Sequence, residues 1–163
     1  MKNSNPAFAQ AKLAWLSGQH LDCGRLIYES LTPHQRVSWA SDILNFCIEH
    51  SPSVTPVNSV AALAPDESSW SLAHAAFSKV RALTLLEEES PGTLDPRAAR
   101  LLFIAENTAK VIYNASQASA PFDHDAGWWL AKCLDDFLAA TKEPETRASG
   151  TSVLFTQPAA NAA

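Results

Sequence analysis

Proline constrains this 163-residue chain more than any other residue type. Pro6, Pro33, Pro52, Pro56, Pro65, Pro91, Pro96, Pro121, Pro144 and Pro158 fall between stretches of helical periodicity, and none interrupts one. A mid-helix proline forfeits a hydrogen bond and clashes with the preceding turn, so this spacing leaves each intervening stretch free to be helical. No alternating apolar–polar run of the strand kind and no internal repeat is visible. The expectation is an all-α fold: a single compact bundle of five to six helices, with a long pinned loop and a mobile C-terminal tail. Residues 1–142 form the helical domain on this reading and residues 143–163 the flexible tail.

The segments follow from local signals. Residues 6–16 place Ala9, Leu13 and Leu16 on one side of a first helix, with Phe8 and Trp15 beside them, and Ser17-Gly18 stops it. A second helix covers 20–31. Thr32-Pro33-His34-Gln35 is the clearest helix start, with a capping threonine, a proline at the first helical position and a glutamine to complete a capping box. The third helix runs to about His50. Its stripe of Val37, Ala40, Leu44, Cys47 and Ile48 and its second stripe of Trp39, Ile43 and Phe46 predict burial on two sides. Residues 51–66, with three prolines, read as a loop pinned by Val54, Val57, Val60 and Leu63. A fourth helix covers about 67–88, carrying Trp70, Ala73, Phe77, Val80 and Leu83 or Thr84 at helical spacing. The fifth, 96–115, is apolar nearly all round and is expected at the centre. A sixth begins near Asp123, with Leu130, Cys133, Leu134, Phe137 and Leu138 facing inward.

Composition bounds the function classes. A 47% hydrophobic share, with five Trp and seven Phe, suffices for a core. The net charge of −5 and the scattering of twelve Lys and Arg disfavour nucleic acid as a partner. No stretch approaches the ~20 apolar residues needed to span a bilayer. Ala9-Gln10-Ala11-Lys12 interrupts any signal-peptide apolar region, so the expected location is the cytoplasm. The odd, widely spaced Cys23, Cys47 and Cys133 do not suggest a disulfide framework.

Charge placement adds two expectations. Glu87, Glu88 and Glu89 end one helix and Arg97 and Arg100 begin the next, each sign at the unfavourable end of its dipole. Pairing of the two clusters across the Pro91-Gly92 hairpin would resolve this; the alternative is an acidic patch that awaits a basic partner. Glu106 and Lys110, four apart, are placed for an ion pair.

Three groups of residues carry possible chemistry. Asp123-His124-Asp125, followed by Trp128-Trp129, offers a histidine between carboxylates beside a stacking surface, with Lys110, Tyr113 and Asn114 closing the preceding helix. The same residues also serve as an N-cap, a dipole complement and space-filling aromatics. Sharing a metal with Asp135 or Asp136 fails on distance, because ten residues of straight helix rise ~15 Å. His20, Cys23, Cys47 and His50 form a permitted zinc set, disfavoured by an axial mismatch of roughly 9 Å across the hairpin at Thr32. His74 and Arg81 share a helix face with Trp70 and Phe77 and read as hydrogen-bonded structural residues.

No reacting group has a visible partner at workable spacing, and neither a nucleophile elbow nor a phosphate-cradling glycine loop is present. The functional expectation is therefore a non-catalytic protein-interaction or accessory protein, of which an acidic inhibitor or immunity-type partner is one form, needing no cofactor and no metal, with its interface expected at the acidic surface, the Glu87–Glu89 cluster or the Trp128-Trp129 corner. The alternative is a small-molecule-binding or metal-assisted hydrolytic enzyme centred on Asp123, His124 and Asp125. Convergence of those side chains on a cleft would favour the enzyme; packing and capping, with an exposed patch elsewhere, would favour the interaction protein.

Overall fold

A computed structural model describes residues 5–117, 122–123 and 125–158. These residues form α1 (Pro6–Leu16), α2 (His20–Glu29), α3 (Pro33–Glu49), α4 (Thr55–Leu63), a 3₁₀ segment (Glu67–Leu72), α5 (Ala73–Glu89), α6 (Pro96–Ser116), α7 (Asp125–Ala139) and α8 (Pro144–Leu154). No strand occurs among the described residues, and no helix there is long and apolar enough to cross a membrane. The all-α expectation holds, with eight α-helices in place of five to six.

The extra helices lie where proline density reads as loop or tail. In the 51–66 stretch, Pro56 occupies the first turn of α4, whose Val57 and Val60 are fully buried. Pro65 follows its end. The prolines there delimit a short helix, as the fixed φ of proline suits a first turn but not an interior. Pro144 likewise starts α8, where the sequence suggests mobility. That helix lies on α3 and α7. Its Leu154 is buried, and its carbonyl accepts the indole N–H of Trp39 at 3.0 Å. Between α4 and α5, Asp66 accepts from the amide and hydroxyl of Ser68, tightening the first turns to 3₁₀ before α5 begins at Ala73.

The start of α3 forms as its residues dictate: Thr32 Oγ1 accepts from the Gln35 amide at 3.2 Å, and Gln35 Oε1 accepts from the Thr32 amide at 3.0 Å. Both stripes of α3 are buried, Ile48 excepted, which is half-buried. α6 packs against α3, α4, α5, α7 and the 3₁₀ segment, and so occupies the centre.

α2 and α7 pack most closely where both lack a side chain. A β-carbon at Gly24 would strike the backbone carbonyl of Trp128, and one at Gly127 would strike the ring of Tyr28. Neither helix position can be occupied without separating the pair.

α1 is the exception to inward orientation. It buries Phe8 and Ala11, with Ala14 and Trp15 half-buried, and leaves the side carrying Ala9, Leu13 and Leu16 in solvent. Leu13 is 67% exposed and Leu16 75%.

The expected charge pairing across the α5–α6 hairpin is not what closes it. Glu87 accepts from the Gly92 and Leu94 amides at 2.9 and 3.2 Å, folding the turn onto the end of its own helix, with Gly92 at φ 88°. Arg97 donates to the His50 carbonyl at the end of α3, and Arg100 to the Pro96 carbonyl. Glu87 and Arg97 thus reach backbone groups left over at a turn and a helix end, Arg97 also lies 3.6 Å from Asp95, and an exposed ion pair across the hairpin would contribute little in water.

Replacement of Gly24 by Ala should lower stability. Overpacking against backbone costs about 1–3 kcal/mol, more than the ~1 kcal/mol that alanine gains over glycine in a helix. A urea midpoint equal to or above that of the wild type would contradict the close packing of α2 on α7.

Candidate functional site

The side chains singled out around the Asp123 segment divide into those that gather and those that do not. α5 supplies His74 and Phe77, α6 supplies Lys110, Tyr113 and Asn114, and the chain returning toward α7 supplies Phe122. Asn114 holds the return in place: its Nδ2 donates to the Phe122 carbonyl at 2.9 Å, and its Oδ1 accepts the Phe122 amide at 3.0 Å. One amide side chain thus satisfies both backbone groups of a residue outside any helix.

The Phe122 ring is enclosed by aromatics. His74 stacks on it at 5.9 Å between centroids, Phe77 lies at 5.2 Å and Tyr113 meets it edge-on at 5.8 Å. Lys110 Nζ stands 5.3 Å from the Phe77 centroid and 5.8 Å from that of Phe122, where the negative ring faces attract an ammonium. The Glu106–Lys110 pair expected from spacing is therefore replaced. Glu106, only 6% exposed, takes Arg81 from α5 at 3.3 Å instead, and Arg81 also approaches Glu88 at 3.9 Å. A buried carboxylate without a cation is costly, which favours Arg81 over a lysine that has aromatic contacts of its own.

Four of the proposed site residues, His74, Lys110, Tyr113 and Asn114, thus share one cluster beside Asp123, while Arg81 serves a separate ion pair. Asp123 is exposed and its carbonyl accepts the Ala126 amide at 3.3 Å. Asp125 is exposed in the first turn of α7, where the dipole favours a carboxylate. His124 lies outside the described residues. Trp128 packs by its backbone against Gly24, with its indole Nε1 buried and without a hydrogen-bond partner among the described residues. Trp129 points the other way, 43% exposed, and forms one wall of an apolar cleft of about 200 Å³ with Arg100, Phe103 and Cys133.

The zinc set does not assemble. His20 Nε2 meets Asp135 at 3.3 Å, and His50 Nδ1 meets its own helix at the Phe46 carbonyl. Cys23 and Cys47 are fully buried. Among the described residues no group of three or more His, Cys, Asp or Glu side chains is placed to hold a metal ion. Burial pushes the Cys23 thiol up to about 12 and the Cys47 thiol further in the same direction. Cys133 is raised to about 12 by burial and by the Asp136 carboxylate, against a weak contact from Asn107.

Sequence reasoning missed the clefts away from this segment. One of about 750 Å³ lies where α3, α6 and the α7–α8 connection meet, with His50, Arg97 and Lys142 on its walls. Another, about 490 Å³, runs between α3 and the 3₁₀ segment, where His34 pairs with Glu67 at 2.9 Å beside Trp70. Neither contains a residue of the Asp123 segment. Their walls come from sequence-distant elements, and only the capping pattern at His34 gives any local signal. Comparison of the chain with known protein families, characterised proteins and solved structures yields no match.

The thiols give a pH prediction. All three stay protonated in the folded chain where an unfolded thiol ionises, so the unfolded state binds fewer protons at high pH. Stability is then fully present below pH 9 and is lost progressively between 9 and about 12. Iodoacetamide at pH 9 should alkylate neither Cys23 nor Cys47 until denaturant is added. Rapid native labelling of either would contradict their burial.

Proposed function

We propose that this protein is a non-catalytic interaction or accessory protein that engages another protein through the outer face of α1. The observation that carries this reading is the exposure of Leu13 and Leu16 on a helix that is apolar on both sides. Gln10 and Lys12 flank these leucines, and an apolar stripe left in water is a place for a partner. The residues around Asp123 support the same reading. His74 and Tyr113 pack their rings on Phe122, Lys110 sets its ammonium over it and Asn114 clamps its backbone, so these side chains hold the returning chain.

A second reading, a ligand-binding or metal-assisted hydrolytic site at Asp123, His124 and Asp125, draws on the convergence of four side chains from α5 and α6 beside that segment. It predicts a zinc- or manganese-dependent rise in melting temperature that His124→Ala abolishes. The interaction reading predicts no such rise.

The test of the interaction reading is a double substitution, Leu13→Asp with Leu16→Asp, beside Leu86→Asp as an exposed control on α5. Both sites are exposed, so stability should stay within about 0.5 kcal/mol of wild type. The α1 variant should lose the protein that co-purifies with the tagged wild type, and the Leu86 variant should keep it. The same partner retained by all three would sink the reading.

A further inference from the structure

The outer face of α1 continues into a cleft whose charges define what can cover it. Trp15, next to Leu16, lines a cleft of about 330 Å³ between α7 and α8, with Leu138, Pro144 and Arg147 among its other walls. Trp15 meets Phe155 edge-on at 6.1 Å, and Lys12 Nζ stands 6.0 Å over the same Phe155 ring. Leucines, an indole and two cations therefore line one edge of the bundle.

Among the described residues those two cations, Lys12 and Arg147, make no ion pair, and Arg147 is exposed. α1 contains no acidic residue. The one carboxylate on the cleft wall, Asp135, is already faced by His20 at 3.3 Å and Lys132 at 4.0 Å. Glu143 and Glu145 stand at the start of α8, where its dipole favours them, and Glu143 accepts from Thr146. On a chain of net charge −5, this edge joins an apolar face to two cations without ion pairs among the described residues, Lys12 and Arg147, with Glu143 one turn before Arg147.

We propose that the α1–α8 edge docks an acidic amphipathic helix of a different protein. This rests on the interaction reading above and names the chemistry of the partner. The apolar stripe of the incoming helix covers Leu13 and Leu16, one side chain enters beside Trp15, and carboxylates flanking the stripe reach Lys12 and Arg147. Tryptophan and arginine are the side chains that most often anchor such contacts, and opposite charge at the rim sets partner choice and encounter rate.

The test uses two labelled 18-residue helical peptides that share one leucine stripe, one flanked by glutamates and its twin by lysines. Anisotropy titrations compare wild type, Lys12→Gln with Arg147→Gln, and Leu13→Asp with Leu16→Asp. The glutamate peptide should bind wild type about three- to tenfold more tightly than its twin, and added salt should shrink that gap. The charge variant should lose the preference while keeping the common apolar affinity, and the leucine variant should lose both. Equal binding of the two peptides, or a preference that survives in the charge variant, overturns the acidic partner and leaves α1 as a docking face. Failure of both peptides to bind overturns the proposal, as does Leu13-dependent binding to phosphatidylserine vesicles or Leu13-dependent self-association in sedimentation. The reading of α1 as an interaction face fails separately, if the leucine variant keeps the co-purifying protein.

Discussion

The structure depends on removing most of one helix from water. α6 buries Leu101, Leu102, Ile104, Ala105, Ala109, Val111 and Ile112 together with Ala98, and leaves Arg100, Phe103, Lys110 and Asn114 half-buried along its remaining side. An apolar face that wide needs several neighbours, and α3, α4, α5 and α7 supply them. The polar residues on it are tolerated because each has a partner. Thr108 donates to the Ile104 carbonyl, Asn107 to that of Phe103, and Glu106 holds Arg81. An unpaired carboxylate at Glu106 would oppose the burial that the rest of the helix requires.

Around that centre the remaining helices are joined by contacts of different kinds. α2 reaches α7 by backbone proximity at Gly24 and Gly127. α8 is tied on by Trp39 and Leu154, with Gly150 admitting the rings and methyls of Phe46 and Leu138. α3 is closed at its C-terminus by Arg97 from α6. α1 has fewer ties. It lies on α2 and leaves half of its apolar surface outside the core. The helix least needed to enclose α6 is thus the one with apolar side chains to spare, which is why the functional reading is placed there.

The residues around Asp123 illustrate how chemistry-bearing side chains become structural. Histidine, lysine, tyrosine and asparagine in one cluster resemble a reaction centre when read as a list. Their geometry is that of a clamp: ring faces and an ammonium close on Phe122, and an amide pairs with its backbone. That the four would meet was partly legible, since Lys110, Tyr113 and Asn114 close the helix before the segment. Phe122 as their common centre was not, because an aromatic in a non-helical stretch gives no periodic signal. Nor was the preference of Arg81 for Glu106, which depends on the depth of Glu106 in the packed bundle.

What the sequence determined by itself was the local hydrogen bonding and its punctuation. Proline positions, the Thr32 capping box and the all-round apolarity of residues 96–115 specify helix, boundaries and centre without reference to anything distant, because caps and helical periodicity act within a few residues. Short helices such as α4 and α8 escaped that logic, since nine or eleven residues are marginal alone and are held by packing. Which face of α1 turned inward, which carboxylate Arg81 met and where the hairpin charges went were decided only in the tertiary structure. Each is a competition among partners far apart in sequence, settled by burial and by the need to satisfy backbone groups at helix ends.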